Sequence, residues 1–189
     1  MSSDVPWCSC LAERPGSRED VAEPAIRRGQ PSDLDTLTRI YDHYVTTTHV
    51  TFDLDPSEPE QRRSWIKQFS DHGRHQLFVA DAGDGAIGYA CSTPFKHRAA
   101  YRVSVETTVY LAPDAIGRGV GLRLMRSLLD AMTRVGVHRA YAGVALPNEA
   151  SEALHRKLGY RRIGVLTEVG RKFDRYWDVA WYEKSIGAD

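Results

Sequence analysis

Val109-Tyr110-Leu111-Ala112-Pro113-Asp114-Ala115-Ile116-Gly117-Arg118-Gly119-Val120-Gly121-Leu122 is the stretch whose reading decides the fold. A β-branched strand runs into a turn with alternate glycines. A helical pattern follows at once, with Leu122, Met125, Leu128, Leu129, Met132 and Val135 on one face and Gly136 as its stop. Successive backbone N–H groups in such a turn converge on an anion, and the positive end of the helix dipole helps to hold it. Glycines at 117, 119 and 121 remove the side chains that would block that approach. The segment therefore reads as a pyrophosphate cradle.

The chain on either side of it is mixed α and β. Upstream, Ala25-Ile26-Arg27-Arg28 reads as a short strand. Ser32 or Asp33 then caps a helix carrying Leu34, Leu37, Ile40, Tyr41 and Tyr44. Ser57 and Glu60 form a candidate capping box for a second helix with Trp65, Ile66 and Phe69. Leu77–Ala80 and Ile87–Cys91 read as strands joined by a hairpin turn through Asp81–Gly85, and Arg102–Leu111 as the long strand that feeds the glycine turn. Downstream, a strand is expected at Ala140–Leu146, a short helix from Glu149 to Leu158, and two closing strands at Arg161–Val169 and Trp177–Glu183. This order excludes the commonest phosphate-binding folds. Gly121 is followed by Leu122-Arg123 rather than the Lys-Ser/Thr of a P-loop. The spacing of Gly117, Gly119 and Gly121 departs from the dinucleotide fingerprint, and the preceding hairpin is wrong for a wholly parallel sheet.

The 189 residues fit one domain, with 25 basic side chains balancing 25 acidic ones, so no global field draws in nucleic acid or an acidic membrane. Three cysteines, Cys8, Cys10 and Cys91, do not make a disulfide framework. No Cys/His spacing suggests a metal site. No apolar run reaches membrane-spanning length and no secretory signal is visible, so a cytoplasmic protein is expected. Residues 1–24, rich in Ser, Pro and charged side chains, read as a flexible extension ahead of a domain over 25–189.

Read together, Ile116–Gly121 and the segment Leu146–Tyr160 resemble the two coenzyme A segments of the GNAT acetyltransferase superfamily. The resemblance covers about Ile26 to Lys184. Val105–Tyr110, Leu146-Pro147-Asn148, Leu154-His155, Leu158-Gly159-Tyr160, Thr51-Phe52, Pro94–Tyr101, Arg171-Lys172 and Trp177-Asp178-Val179 are similar to the phosphinothricin N-acetyltransferase branch. It implies an α/β (α+β) acyl-CoA N-acyltransferase fold, a mixed, mostly antiparallel twisted sheet flanked by helices. It also implies acetyl-CoA as co-substrate, no metal, a small-molecule amine as acceptor (phosphinothricin, methionine sulfoximine or a related compound) and a homodimer. A role in antibiotic or herbicide resistance would follow from such acceptors. Ile116 stands where that family usually has Gln or Arg.

The resemblance assigns cofactor contacts to Val109, Leu111, Ile116, Gly117, Arg118, Gly119, Val120, Gly121, Leu122, Asn148 and Ser151, with a backbone N–H near Val109 facing the oxyanion. Asn148 also reads as a helix N-cap. Glu106, in an otherwise apolar and hydroxyl-bearing strand, is the candidate base for an incoming ammonium ion, its pKa raised by partial burial. His155 either protonates the departing thiol or shares the base role. Phe52, Lys96, Arg98 and Tyr101 are expected around the acceptor, the two cations gripping its anionic groups. Lys172, Asp174 and Asp178 belong to the same pocket or to a subunit interface. Acetylation of peptide N-termini or polyamines, and a non-catalytic acyl-CoA-binding module, are the alternatives.

Overall fold

The computed structural model describes residues 23–187. Most of the expected N-terminal extension, with Cys8 and Cys10, therefore lies outside the described residues. Strands β1 (Ala25–Arg28), β2 (Leu77–Asp81), β3 (Ala86–Pro94), β4 (Ser104–Leu111), β5 (Arg139–Ala145), β6 (Arg161–Lys172) and β7 (Arg175–Ser185) form one sheet in the order β1-β2-β3-β4-β5-β7-β6. Every neighbouring pair is antiparallel except β4 and β5. Among the described residues the four α-helices are α1 (Leu34–Thr47), α2 (Pro59–Lys67), α3 (Val120–Arg134) and α4 (Glu149–Lys157).

Strand alternation divides the core into two layers. Tyr89 and Cys91 of β3 point to the face covered by Leu37 and Ile40 of α1 and by Trp65 and Ile66 of α2. Ala90, between them, points to the other face, against α3. There α3 buries Val120, Leu124, Met125, Leu128 and Met132 almost completely. At roughly 1.5–3 kcal/mol per such side chain, this helix is a principal anchor of the fold.

The expected elements are present, with local differences at their ends. The second helix begins at Pro59, and its box uses the Gln61 side chain, which accepts from Glu58 N–H (3.3 Å), instead of Ser57 and Glu60. Proline at the first helical position suits a helix start, because its missing N–H is needed by no bond there. Asp33 does not cap α1; its carboxylate turns back to Arg27 (2.7 and 2.8 Å) and to the Gln30 N–H (2.7 Å). Ala99–Val103 form a 3-10 turn, so β4 begins at Ser104 rather than Arg102.

The decisive irregularity is at the parallel pair. β5 pairs with β7 along its whole length, from Arg139 to Ala145. It pairs with β4 only at Ser104, Val105 and Glu106. Beyond Glu106 and Tyr141 the two strands part, and the sheet opens into a wedge. The Thr107 hydroxyl caps the fork, lying 3.1 Å from the Tyr141 carbonyl and 2.9 Å from the Tyr160 hydroxyl. It thus supplies the Tyr141 carbonyl with a donor where the ladder stops.

Candidate active site

A cavity of about 670 Å³ fills the wedge. Its walls come from β4, the glycine turn, α4, β5, β7, β6 and the connection between α1 and α2. Glu106, Val109, Leu111, Ile116, Gly117, Gly119, Gly121, Leu122, Asn148, Ser151, His155 and Phe52 all line it. The structure thus gathers residues that are more than 100 positions apart in the chain.

The cofactor end is built from backbone. Gly117 and Gly119 both have φ of +79°, and the space beside each α-carbon is open. A side chain there would be strained in the left-handed conformation and would fill the cradle. Arg123 is the first α3 residue whose N–H returns to a preceding carbonyl, that of Gly119 (3.2 Å). The N–H groups of Val120, Gly121 and Leu122 thus have no backbone partner among the described residues at the helix start, where the dipole favours an anion. Arg118 and Val120 do not line the cavity. Arg118 is exposed, and Val120 is buried under the turn as the first residue of α3.

Strand β4 presents its own backbone to the gap. The Ala112 N–H bonds to the Ile87 carbonyl (2.8 Å), which sets the alternation of hydrogen-bonded pairs with β3. Val109 and Leu111 then fall at positions whose N–H and C=O groups turn away from β3, toward the wedge. The Tyr44 hydroxyl accordingly reaches the Leu111 carbonyl, at 2.6 Å. Across the wedge, the Asn148 side chain accepts from the Ser151 N–H (3.1 Å) and caps α4, as an N-cap residue should. These free donors, open glycines and facing strand edges fit an extended phosphopantetheine arm with its pyrophosphate on the turn.

Glu106 sits at the apex of the fork, half-buried, and among the described residues it is in no ion pair. Burial alone raises its pKa. Among the described residues it is the one Asp, Glu, Lys or Arg in the cavity wall. His155 is 4 % exposed and is flanked by the rings of Tyr160 and Tyr182. Its Nδ1 lies 2.8 Å from the Ser151 carbonyl, an acceptor, so Nδ1 carries the proton. Nε2 is then a bare acceptor, buried and without a partner among the described residues. Burial also lowers its pKa, which favours the neutral ring over the charged one. Of the two expectations for His155, this geometry fits proton acceptance and not a resting proton donor. Cys91 lies outside the cavity wall, and burial pushes its thiol up to about 12, so it offers no thiolate nucleophile.

The acceptor end departs further from expectation. Phe52 lines the cavity, but Lys96, Arg98 and Tyr101 do not. Lys96 lies over the rings of Phe95 (5.2 Å) and Tyr101 (5.5 Å). Phe95 stacks on Tyr141 and meets the edge of Trp181, the ring that actually forms the wall. Lys96 and Tyr101 thus pack on Phe95, behind the Trp181 ring and not in the cavity wall. Lys172 is 4 % exposed, and its ammonium donates to the Thr51 carbonyl (2.8 Å), bracing the α1–α2 connection. Asp174 pairs with Arg171 on the surface. Asp178 accepts from the Glu168 N–H (2.7 Å) inside the β6–β7 pair. Thr107 and Trp181 were not singled out by sequence. The partners that give them their roles are tens of residues away, and no local spacing marks them.

Residues 37–160 match the model of the Acetyltransferase (GNAT) family, about two thirds of the chain. The chain belongs to this family. A phosphinothricin N-acetyltransferase of Streptomyces coelicolor is 50% identical over 168 residues, which cover 88% of this chain and 98% of that one. An L-methionine sulfoximine/L-methionine sulfone acetyltransferase of Pseudomonas aeruginosa is 29% identical over 86% of this chain and 94% of its own. The crystal structure of a GNAT superfamily phosphinothricin acetyltransferase from Sinorhizobium meliloti, in complex with acetyl-CoA, superposes with a TM-score of 0.83. It is 29% identical and covers 88% of this chain and 90% of that one. The protein is thus a GNAT acetyltransferase with acetyl-CoA as co-substrate, and its sheet and four helices are those of the family. Among the described residues no group of three or more His, Cys, Asp or Glu is placed to hold a metal ion, and no helix is long and apolar enough to cross a membrane.

Proposed function

We propose that this acetyltransferase acetylates the amino group of small amino-acid-like compounds, phosphinothricin and methionine sulfoximine among them, by direct attack in a ternary complex. The observation that carries this reading is the position of Glu106, an unpaired carboxylate of raised pKa at the apex of the wedge. An amine arrives mostly as ammonium. Glu106 takes the first proton, directly or through one water, and leaves a nitrogen with a free lone pair. The Val109 N–H faces the carbonyl oxygen as negative charge develops there. His155 Nε2 accepts the second proton, released once nitrogen has gained its acyl bond, and can return it to the departing thiolate. Acetyl-CoA supplies the activated acyl group. Its pyrophosphate is held by the free N–H groups of the glycine turn and α3, with Asn148 and Ser151 along the arm.

The names of the relatives support the acceptor class. Such acceptors make resistance to amino-acid-like antibiotics or herbicides the corresponding cellular role, exercised in the cytoplasm. We assign Lys96, Arg98 and Tyr101 to the outer rim, where the two cations attract an anionic acceptor toward the Trp181 wall. Among the described residues no Lys or Arg lines the cavity, which favours one second reading, acetylation of a peptide N-terminus that brings no free carboxylate. Pairing of two copies is supported by the edge strand β6 and its turn, where Ile163, Val165, Phe173 and Tyr176 are exposed and do not line the cavity.

Thiol release from acetyl-CoA with a panel of amines tests the reading. Turnover with phosphinothricin, methionine sulfoximine or methionine sulfone supports it. Turnover with short peptides alone selects the second reading, and acetyl-CoA binding with no turnover points to a non-catalytic module.

A further inference from the structure

The segment 48–53 between α1 and α2 crosses the acceptor end of the cavity like a strap, and it is tied down on both sides. The His49 ring lies flat on Trp177 of β7, with centroids 3.9 Å apart, and its Nε2 is 3.1 Å from the Pro147 carbonyl. Lys172 of β6 holds the Thr51 carbonyl, and the Thr51 hydroxyl meets the Tyr41 hydroxyl of α1 at 2.8 Å. The strap backbone therefore has little room to move. Val50, Thr51 and Phe52 project from it into the cavity wall, opposite Leu166 and Val169 of β6.

Strand β6 is shaped to receive this strap. Leu166 pairs with Val179 and Gly170 with Trp177, so three β6 residues stand opposite Asp178 alone. Glu168, in the middle of this bulge, takes a φ of +51°, and its N–H is satisfied by the Asp178 carboxylate at 2.7 Å. A bulge of this kind re-aims the side chains beside it, here Leu166 and Val169, into the cavity. The bulge ends at Gly170. A Cβ on Gly170 would lie 2.7–2.8 Å from Cε1, Cε2 and Cζ of Phe52, closer than such atoms approach. The Phe52 ring can rest on β6 only because residue 170 has no side chain.

We propose that Gly170 is a specificity-determining residue, whose bare backbone seats the Phe52 ring and thereby sets how long an acceptor side chain the cavity admits. This rests on the acetyltransfer reading above. The chamber it bounds is walled by Val50, Phe52, Leu166, Val169, Val179 and Trp181, so the portion of the acceptor lying there is apolar or aliphatic. With the strap pinned by His49 and Lys172, a methyl group at 170 displaces the ring toward the cavity rather than outward. Residue 170 lies outside the left-handed region, so alanine is compatible with its backbone.

The test is Gly170→Ala assayed with a graded series of α-amino acids: alanine, 2-aminobutyrate, norvaline and norleucine. One methylene of room is worth about 10- to 200-fold in such a pocket. The ratio of kcat/KM for the longest to the shortest acceptor turned over is expected to fall at least about tenfold, with KM for acetyl-CoA held within about twofold. The double variant Gly170→Ala/Phe52→Leu is expected to restore the ratio. An equal loss across the series, or an unchanged ratio, overturns the assignment. A crystal structure of Gly170→Ala reads it independently of turnover: a Phe52 ring shifted into the cavity supports it, and an unmoved ring with β6 displaced outward overturns it. Wild-type protein that acetylates no amine would count against the acetyltransfer reading itself, while that crystal structure would still decide the role of Gly170.

Discussion

Glu106 carries opposing obligations to stability and to chemistry. Burial raises its pKa, so the folded protein binds this proton more tightly than the unfolded chain does. The stability this contributes is complete below the ordinary carboxylate value and is lost as pH rises through the raised one. Glu106→Gln removes that slope. Thermal denaturation across this window is therefore expected to show wild type losing stability with rising pH relative to the variant, which melts higher at neutral pH. His155 runs the other way, because its pKa is lowered: its contribution is present above the usual histidine value and is lost as pH falls through the depressed one. At the other end of the cavity, Gly119→Ala places a side chain on a residue with φ of +79°. A loss of stability of about 1 kcal/mol or more is expected from this strain, as urea denaturation would show, and the added methyl group in the cradle is expected to raise KM for acetyl-CoA in steady-state kinetics.

Among the elements, β4 and its fork do most to create the site. Thr107→Val would leave the Tyr141 carbonyl and the Tyr160 hydroxyl without their shared partner. A buried polar group so abandoned costs about 1–3 kcal/mol, which urea denaturation can measure. The same substitution frees the fork and is expected to lower kcat as well. The glycine turn, α3 and α4 were legible in the sequence because local rules govern them: alternate glycines, an apolar stripe, and an asparagine three residues before the N–H it caps. Glu106 could be named from the same segment. The point where β4 and β5 part could not, since it depends on a threonine meeting a carbonyl 34 residues away and a tyrosine 53 residues away. The β6 bulge was invisible for a similar reason. Its N–H is satisfied by an aspartate on the neighbouring strand, and strand alternation in β6 gives no sign of it.

For the whole molecule, a mixed, mostly antiparallel sheet flanked by helices follows from the element sequence once the fold family is known, and the structure agrees with that reading. Lys96, Arg98 and Tyr101 show where this reasoning stops. They are expected around the acceptor, but none of them lines the cavity, and Lys96 and Tyr101 pack instead on Phe95, whose ring meets the edge of Trp181. The exposed apolar side chains of β6 and its turn give the molecule an unshielded edge. Sedimentation is expected to report a dimer, and Ile163→Lys/Val165→Lys a monomer. A monomeric wild type would remove the case for pairing through this edge.

The proposed role of Glu106 as base at the fork is tested most directly by the pH dependence of kcat/KM for the preferred amine in wild type and in Glu106→Gln. Wild type is expected to lose activity as pH falls through a group titrating above the ordinary carboxylate range. Glu106→Gln should lack that limb and be about 10²- to 10⁴-fold slower. A variant of wild-type rate, or one that keeps the same acid limb, would contradict the assignment.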